Sequence, residues 1–201
     1  PSSGGILVIQ MLNMLEPFDL RSMGYGSAAS IHHMVEASRR AYADRAEYLG
    51  DPDYHPVPIG MLLDKDYARQ RFIDFDSGKA SSSENIDPGM WLKESPETTH
   101  FSIIDKNGIM ISFTTTLNSS YGNKIVVPGT GILLNNEMND FSIKKDIPNQ
   151  YQLIGREANA IEPEKRMLSS MSPTIVTKDG NPFLITGSQG GSRIITTVLQ
   201  I

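Results

Sequence analysis

Thr98-Thr99-His100-Phe101-Ser102-Ile103-Ile104-Asp105 is the stretch that decides the fold of this chain, because strand-like sequence begins with it. Its β-branched and aromatic residues predict a strand over His100–Asp105. Lys106-Asn107-Gly108 has the composition of a hairpin turn, and Ile109–Thr116 is typical of the returning strand. Before Thr98 the sequence predicts helices and loops, and after it strands separated by glycine-rich turns.

A second unit of the same design lies further along the chain. It consists of strands Thr174–Thr177 and Phe183–Thr186, a Lys178-Asp179-Gly180 turn, and a closing helix that begins at Ser192 or Arg193. Between the two hairpins, residues 118–171 show little periodicity, and long ordered loops are usually functional. Helices followed by hairpins predict an α+β fold in which helices cover small sheets.

The region before Thr98 predicts three helices. The first begins near Ser2-Ser3-Gly4-Gly5, ends at Glu16-Pro17 and carries Leu7, Met11, Met14 and Leu15 at helical spacing. The second has Ser27 as candidate N-cap, runs to about Tyr48-Leu49 and carries an apolar stripe of Ile31, Met34, Val35, Tyr42, Ala46 and Leu49. The third begins at Asp64 or Lys65 and ends near Phe75.

Polar residues in these helices do not predict a metal site. Residues 2–5 form either a plain helix cap or a cradle for an anion at a helix N-terminus. His32 and His33 are adjacent, so they face different sides of their helix, whereas metal-binding pairs on a helix are spaced four residues apart. We therefore expect no metal ligands here.

The loop before Thr98 is the clearest change in composition. Gly78–Gly89 is rich in serine, lysine and glycine and predicts a mobile, exposed segment, which Pro88–Pro96 continues with the single tryptophan, Trp91. A long polar loop ahead of a strand is also where a protease, or the chain itself, can cut.

Composition excludes several classes of protein. Of the 201 residues 39% are hydrophobic and 20% charged, which is typical of a globular chain. The net charge is −5 and no basic block exists, so we expect no nucleic-acid partner. Without cysteine, disulfides, thiolate catalysis and cysteine-bound zinc are excluded. No run of 18 apolar residues exists, and we expect both ends of the chain to be cuts in a longer protein.

Thr98 is a candidate nucleophile. A threonine hydroxyl needs a base, and a free N-terminal amine, with a pKa of about 7.7–8.0, can serve as one. A threonine between an exposed loop and the start of a buried strand suits that use, although Thr-Thr pairs are also common in ordinary strands.

Three other motifs could complete an acyl-transfer site. Gly187-Ser188-Gln189-Gly190-Gly191-Ser192 is either an oxyanion hole or a tight strand-to-helix turn. Leu168-Ser169-Ser170-Met171-Ser172-Pro173 either binds a carboxylate or is a capped loop. Asn135-Asn136-Glu137-Met138-Asn139-Asp140-Phe141 either binds an ammonium group or is an ordinary asparagine-rich turn.

Taken together, these motifs resemble the γ-glutamyltranspeptidase (glutathione hydrolase) family. The segments that carry the resemblance, in order along nearly all of the chain, are Pro1–Gly5, Tyr42–Arg45 with Tyr48–Pro52, Thr98–Ser102, Thr116–Asn118, Gly131–Phe141, Leu168–Thr174 and Gly187–Arg193. The resemblance implies an N-terminal-nucleophile hydrolase, an αββα sandwich that is incomplete in this chain. Residues 1–97 would end the large subunit and residues 98–201 would form most of the small subunit.

The resemblance also implies a reaction. The precursor would cut itself between Glu97 and Thr98, and Thr98 would then attack the γ-glutamyl amide of glutathione or a similar compound. Water, an amino acid or a peptide would accept the γ-glutamyl group. The large and small subunits would stay together, no cofactor or metal is implied, and the expected location is periplasmic or secreted.

The resemblance also assigns roles to the residues of this sequence that match the family's site positions. Thr116 would hydrogen-bond the nucleophile, and Gly190 and Gly191 would form the oxyanion hole. The α-amino end of the substrate would bind Asn118, Glu137 and Asp140, the α-carboxylate would bind Ser169 and Ser170, and Tyr151 would belong to a lid. Position 137 is glutamate where bacterial members often have glutamine, and the family's carboxylate-binding arginine has no match here. We therefore do not expect the 201-residue chain to be active alone.

Two alternatives stay open. One is a relative that acts on poly-γ-glutamate or on the side chain of a β-lactam, with the same nucleophile. The other is a binding protein without catalysis, although the set of matched site residues is complete enough to argue against it. A lid tyrosine at position 151 favours a small substrate.

Overall fold

The computed structural model describes residues 2–82, 86, 98–144, 147–149 and 153–201. Within these ranges the helices α1 Gly4–Leu15, α2 Leu20–Met23, α3 Ala28–Tyr48, α4 Ile59–Leu62 and α5 Lys65–Arg71 come first. Strands β1 Thr99–Ile104, β2 Met110–Thr115, β3 Thr174–Lys178 and β4 Asn181–Thr186 follow, and α6 Arg193–Gln200 closes the chain. Two 3-10 turns, Glu137–Asp140 and Glu157–Asn159, lie between the hairpins. The mixed composition of helices and small sheets agrees with the predicted α+β class.

The core lies around α1. The four apolar residues predicted to share one face of this helix are buried: Leu7 and Met11 completely, and Met14 and Leu15 almost completely. They pack with residues of α3, α5 and α6 in one cluster. Burying such a side chain contributes roughly 1.5–3 kcal/mol, so α1 holds α3, α5 and α6 together.

The predicted apolar stripe of α3 is confirmed only in part. Ala46 and Leu49 are buried and Met34 and Tyr42 pack against the core, but the buried face also carries charged residues. Ser27 caps the helix as expected, accepting from the Ser30 N–H at 3.1 Å. However, Ile31 and Val35 are 47% and 43% exposed. Glu36 and Arg40 are buried instead, as an ion pair at 2.8 Å. Buried charges need partners, and here tertiary partners decided which face of α3 turned inward.

Asp44 is a second buried polar group on α3. Its Oδ2 accepts hydrogen bonds from Gln10 Nε2 at 2.6 Å, from the Tyr67 hydroxyl at 3.1 Å and from Arg71 Nε at 3.2 Å. Burial raises the pKa of Asp44, and Arg71 acts in the opposite direction. This one carboxylate therefore ties α1 and α5 to α3.

The first and third predicted helices form, with differences at their ends. Ser3 does not cap α1 with its side chain; its hydroxyl donates to the Ser169 carbonyl at 2.8 Å. The third helix begins at Lys65 as predicted, with Asp64 as its N-cap, but it ends at Arg71 rather than near Phe75. In the turn that follows, Phe72 stacks on Phe75 with ring centroids 4.5 Å apart.

Both predicted hairpins are present. β1 pairs with β2 in antiparallel register from Thr99–Thr115 to Ile104–Met110. Gly108 has φ +84°, the left-handed backbone that a tight turn requires. β3 pairs with β4, with an irregularity between Val176 and Thr177. The Ser112 hydroxyl donates to the Thr186 carbonyl at 2.9 Å and accepts from the Thr174 N–H at 3.1 Å, so it joins the two hairpins.

The expectation of a buried first strand is wrong for this structure. Phe101, Ile103, Ile111 and Phe113 are between 43% and 50% exposed. The described elements cover only part of these strands, so their apolar side chains remain half-exposed although Phe101 and Phe113 stack on each other.

The loop that precedes Thr98 lies mostly outside the described residues, and so does Trp91. Its described beginning is bound to α3, because the Ser81 N–H donates to Glu36 Oε1 at 3.1 Å. Across the described ranges, no helix has the length and apolar character needed to cross a membrane.

Candidate active site

The open end of the first hairpin holds Thr98 and Thr116. Because Thr99 pairs with Thr115, Thr98 and Thr116 are the next residues of the two strands and leave the ladder as neighbours. Both are half-buried and line one small cavity. The Thr116 hydroxyl accepts a hydrogen bond from the Asn118 N–H at 2.9 Å, which fixes the position of that oxygen.

The loop after β2 is held in place by asparagines. Asn118 is 5% exposed and has φ +74°, a left-handed conformation that asparagine tolerates better than most residues. Its Nδ2 donates to the Asn136 carbonyl at 3.2 Å. The Asn136 side chain accepts from the Ser119 N–H at 2.9 Å. These bonds attach Asn118 to the segment that leads into the Glu137–Asp140 turn.

Two carboxylates share that 3-10 turn. The pKa of Asp140 is raised to about 7: burial is the largest cause, the charge of Glu137 adds to it, and the charge of Arg45 acts in the opposite direction. Burial also raises the pKa of Glu137. Asp140 lines the cavity, whereas Glu137 does not. A desolvated carboxylate at a cavity wall is suited to bind an ammonium group, which would restore its lost stabilisation.

A pair of serines lies across the cavity. The Ser169 hydroxyl accepts from the Met171 N–H at 3.1 Å, and the Ser170 hydroxyl accepts from Arg45 Nη2 at 3.4 Å. The Ser169 carbonyl accepts from the Ser3 N–H at 2.9 Å. The backbone of this segment is thus held by the start of α1, while its side chains line the cavity.

The turn between β4 and α6 contains Gly190 and Gly191 with φ of +116° and +57°. Such values favour glycine. Their carbonyls accept from the Arg193 and Ile194 N–H groups at 3.1 and 3.2 Å. Among the described residues neither glycine N–H has an acceptor. Two donors at the start of a helix favour negative charge beside them.

Ser192 follows these glycines and was not predicted to be a site residue. Its side chain is 1% exposed and lines the cavity. Within the described ranges its Oγ has no hydrogen-bond partner. A buried hydroxyl without a partner is available to a ligand.

The cavity brings most of the predicted site together. It has room of about 30 Å³ for water-sized molecules, and its walls include the predicted residues Thr98, Thr116, Asn118, Asp140, Ser169, Ser170 and Gly191. Gly190 adjoins it through the turn. Glu137 lies one 3-10 turn from Asp140 but does not line it, and Tyr151 lies outside the described residues.

Arg45 also lines this cavity, and sequence reasoning missed it. Its side chain comes from α3, on the same buried face as Ala37 and Ala41. The spacing of four residues from Ala41 was the available signal, but it suggested only a core position. Burial lowers the pKa of Arg45, while nearby Tyr42 and Asp140 act in the opposite direction.

The site therefore has both signs of charge within one cavity. Asp140 supplies the negative group, Arg45 supplies the positive group, and serine hydroxyls lie beside the latter. The residues that the structure describes contain no cluster of three or more histidine or acidic side chains that could hold a metal ion. The two charges are complementary to those of a zwitterion such as an amino-acid head group.

Comparison with known proteins decides the family. Residues 1–201 match the sequence profile described as Gamma-glutamyltranspeptidase. The chain belongs to the gamma-glutamyltranspeptidase family. It is 54% identical over 202 residues to the glutathione hydrolase proenzyme of Escherichia coli (strain K12), a match that covers 100% of this chain and 35% of that protein. The family resemblance found in the sequence is thereby confirmed.

Two acylases are also similar to this chain, one in sequence and one in fold. The acylase ACY 1 proenzyme of Pseudomonas sp. (strain SE83) is 37% identical over 202 residues, covering 100% of this chain and 34% of that protein. The structure is similar to that of cephalosporin acylase from Bacillus halodurans, with a TM-score of 0.69 and 24% identity over 92% of this chain and 32% of that one. The chain thus spans about a third of the length of these relatives.

Proposed function

We propose that the protein containing this chain transfers γ-glutamyl groups from glutathione and other γ-glutamyl compounds to water, amino acids or peptides. The observation that carries the proposal is the single cavity in which Thr98 and Thr116 lie with Asp140, Ser169 and Ser170. A γ-glutamyl substrate has an ammonium group, a carboxylate and an amide carbonyl, and this cavity offers a chemical partner for each. Family membership supports the same reaction.

The chemistry begins with Thr98. After the bond between Glu97 and Thr98 is cut, the freed amine takes the proton of the Thr98 hydroxyl, and Oγ attacks the γ-glutamyl carbonyl carbon. Thr116, whose hydroxyl is fixed by the Asn118 N–H, lies at the same hairpin end and supports the nucleophile. The carbonyl oxygen becomes an oxyanion, which the Gly190 and Gly191 N–H groups stabilise.

The tetrahedral intermediate then collapses. The carbon–nitrogen bond breaks, the leaving amine takes the proton from the N-terminal amine, and a γ-glutamyl ester of Thr98 forms. Water or the amine of an acceptor attacks this ester in the same way and regenerates Thr98. Removing an oxyanion donor of this kind costs about 100- to 1,000-fold in kcat in other acyl-transfer enzymes.

The substrate head would bind at the two ends of the cavity. Asp140 and Asn118 would hold the α-amino group, with Glu137 contributing charge from the adjoining turn. Ser169 and Ser170 would hold the α-carboxylate, and Tyr151 would belong to a lid. No cofactor takes part in this reaction, because the amine, the hydroxyl and the oxyanion donors supply all the groups that it requires.

The proposal includes the family's architecture and processing. Residues 1–97 would belong to the large subunit and residues 98–201 to the small subunit of one precursor, in an αββα sandwich completed by the rest of the protein. The fold likeness to a cephalosporin acylase supports this architecture. By the same family argument we propose a periplasmic or secreted location, which fractionation of cells that produce the full-length protein would test.

The first experiment is the intact mass of the full-length protein after incubation. Wild type should give two pieces, one beginning at Thr98, whereas Thr98→Ala should stay in one piece. Thr99→Ala is the matched control and should be cut like wild type. A wild-type protein that remains uncut would overturn both self-cleavage and the nucleophile assignment.

Substrate choice separates the proposed activity from its alternative. Acylase activity on a β-lactam side chain is the second candidate, because an acylase is 37% identical to this chain. The purified, cut protein should release the amine from a γ-glutamyl anilide and leave an acylated β-lactam and poly-γ-glutamate intact. Turnover of the β-lactam alone would favour the acylase reading.

A further inference from the structure

Arg45 is a buried cation to which the proposed reaction assigns no step. It is 5% exposed, and in the described part of the chain no carboxylate lies within ion-pair distance of it. Burying a charge without an ion-pair partner is costly. An apolar side chain at the same place on α3 would avoid that cost, so the guanidinium calls for a functional explanation.

The hydrogen bonds of Arg45 supply a functional explanation for its burial. Arg45 Nη2 donates to the Ser170 hydroxyl at 3.4 Å, and Nε donates to the Ser3 hydroxyl at 3.1 Å. A guanidinium can only donate. The Ser170 oxygen is therefore an acceptor toward Arg45, and its own proton has to point elsewhere.

The Ser169 hydroxyl, like that of Ser170, accepts a hydrogen bond from a protein donor. Its hydroxyl accepts from the Met171 N–H at 3.1 Å, so its proton is also free to point away from the protein backbone. Both serines line the cavity. Two hydroxyls whose acceptor sides are occupied by protein donors present O–H donors to a ligand.

Ser3 completes the network and fixes its position. The Ser3 hydroxyl accepts from Arg45 and donates to the Ser169 carbonyl at 2.8 Å, and the Ser3 N–H donates to the same carbonyl at 2.9 Å. Arg45 therefore lies between the start of α1 and the serine segment, and cannot move without breaking bonds to both.

We propose that Arg45 is a positioning residue that orients the Ser170 hydroxyl as a donor and so makes this end of the cavity specific for a carboxylate. This inference rests on the proposed function for the identity of the ligand. A carboxylate is an acceptor only, so it matches two O–H donors and a nearby cation, whereas an amide or hydroxyl would leave one of these groups poorly matched. Arg45 acts through Ser170 and does not itself touch the substrate.

The test compares two ligands that differ only in the α-carboxylate. Titration calorimetry on the full-length protein measures the affinity for L-glutamate and for 4-aminobutanoate. Wild type should prefer L-glutamate, and Arg45→Gln should reduce that preference by about 10- to 100-fold, the range expected for a hydrogen bond to a charged group. Arg45→Lys also presents only donors and should restore part of the preference.

Ser170 and a matched arginine complete the design. Ser170→Ala should reduce the preference for L-glutamate as Arg45→Gln does. The double variant should lose no more of that preference than the single variant with the larger loss, because both changes remove the same interaction. Arg39→Gln is the control, since Arg39 lies on α3 but does not line the cavity. It should leave the preference unchanged.

Several outcomes would overturn the proposal: no preference in wild type, an equal loss for both ligands in Arg45→Gln, or additive losses in the double variant. If Arg45→Gln does not fold, Arg45→Lys and Ser170→Ala decide the question. Self-cleavage at Thr98 and turnover are measured separately on the same samples. A protein that discriminates between the ligands without turnover would refute the proposed reaction and leave the role of Arg45 supported.

Discussion

Glu137 and Asp140 lie at the two ends of one 3-10 turn, and the charge of the first raises the pKa of the second. Burial is the larger cause, and together the two effects bring the pKa of Asp140 to about 7. The positive charge of Arg45 lowers it. The ionisation of Asp140 is therefore set by groups from two separate parts of the chain.

Replacing Glu137 by glutamine should make the protein active at lower pH. An ammonium group binds to ionised Asp140, so kcat/KM for a γ-glutamyl anilide should fall as the pH drops through about 7, in a step below the one that protonation of the N-terminal amine causes at about 7.7–8.0. Without the negative charge of Glu137 the pKa of Asp140 falls, and the acid limb should move to lower pH. The measurement is kcat/KM between pH 5 and 9.

Two variants check the cause of that shift. Glu16→Gln removes an exposed carboxylate that forms a surface ion pair with Lys65. It should leave the pH profile of kcat/KM unchanged. Arg45→Gln removes a charge that lowers the pKa of Asp140, so its acid limb should move to higher pH. Shifts of the same sign in Glu137→Gln and Arg45→Gln would contradict this account.

Asp140→Asn should stabilise the empty protein, but only at high pH. A raised pKa means that the folded protein holds a proton on Asp140 that the unfolded chain, with a pKa near 3.9, gives up. This group therefore lowers stability as the pH rises from about 4 to 7, and asparagine removes the effect. The melting temperature of the variant should exceed that of wild type at pH 8 and equal it at pH 4; a constant difference would refute the argument.

Gly50 is a position where a single methyl group should be destabilising. A Cβ on Gly50 would lie 1.9 Å from the Ala158 carbonyl oxygen, and a backbone atom cannot move aside as a side chain can. Gly50→Ala should cost about 1–3 kcal/mol, as overpacking typically does. Gly60→Ala is the control, since nothing lies within 4 Å of its added methyl and alanine favours the α4 helix. Urea unfolding of the full-length protein measures both.

Arg166 should matter more for stability than an arginine whose acidic partner is exposed. Its backbone N–H and Nε each donate to Asp51 Oδ2 at 2.9 Å, and the Asp51 side chain is buried. Arg166→Met would leave a buried carboxylate without its main partner, so the midpoint of urea unfolding should drop clearly. Arg69→Met breaks a pair in which both side chains are more than 60% exposed and should change little. Equal effects would show that burial of Asp51 does not decide the outcome.

Local sequence signals predicted the elements well. The hairpins followed from strand-forming residues around Lys106-Asn107-Gly108 and Lys178-Asp179-Gly180, and α1 followed from its spacing of apolar residues. The buried face of α3 could not be predicted in this way. Whether Glu36 and Arg40 are buried depends on partners elsewhere in the chain, and a helix pattern read alone assigns charged residues to solvent.

The residues of the site likewise differ in whether local sequence predicts their position. Thr98 and Thr116 become neighbours through a hairpin, which is a local feature of the sequence. Arg45 and Ser170 are 125 residues apart, and no spacing rule joins them. The family resemblance supplied the roles of residues on matched motifs, but it assigned none to Arg45, whose position in the cavity is visible only in the folded chain.

Contacts across the proposed cut have a consequence of their own. Residues on its two sides are joined by the bonds of Ser3 to Ser169, by the Tyr42 hydroxyl to the Ser192 carbonyl at 2.5 Å, and by Asp51 to Arg166. Opening the backbone at Thr98 would remove none of them. The new amine would therefore arise beside a pocket whose two sides stay joined by these contacts after the covalent bond is lost.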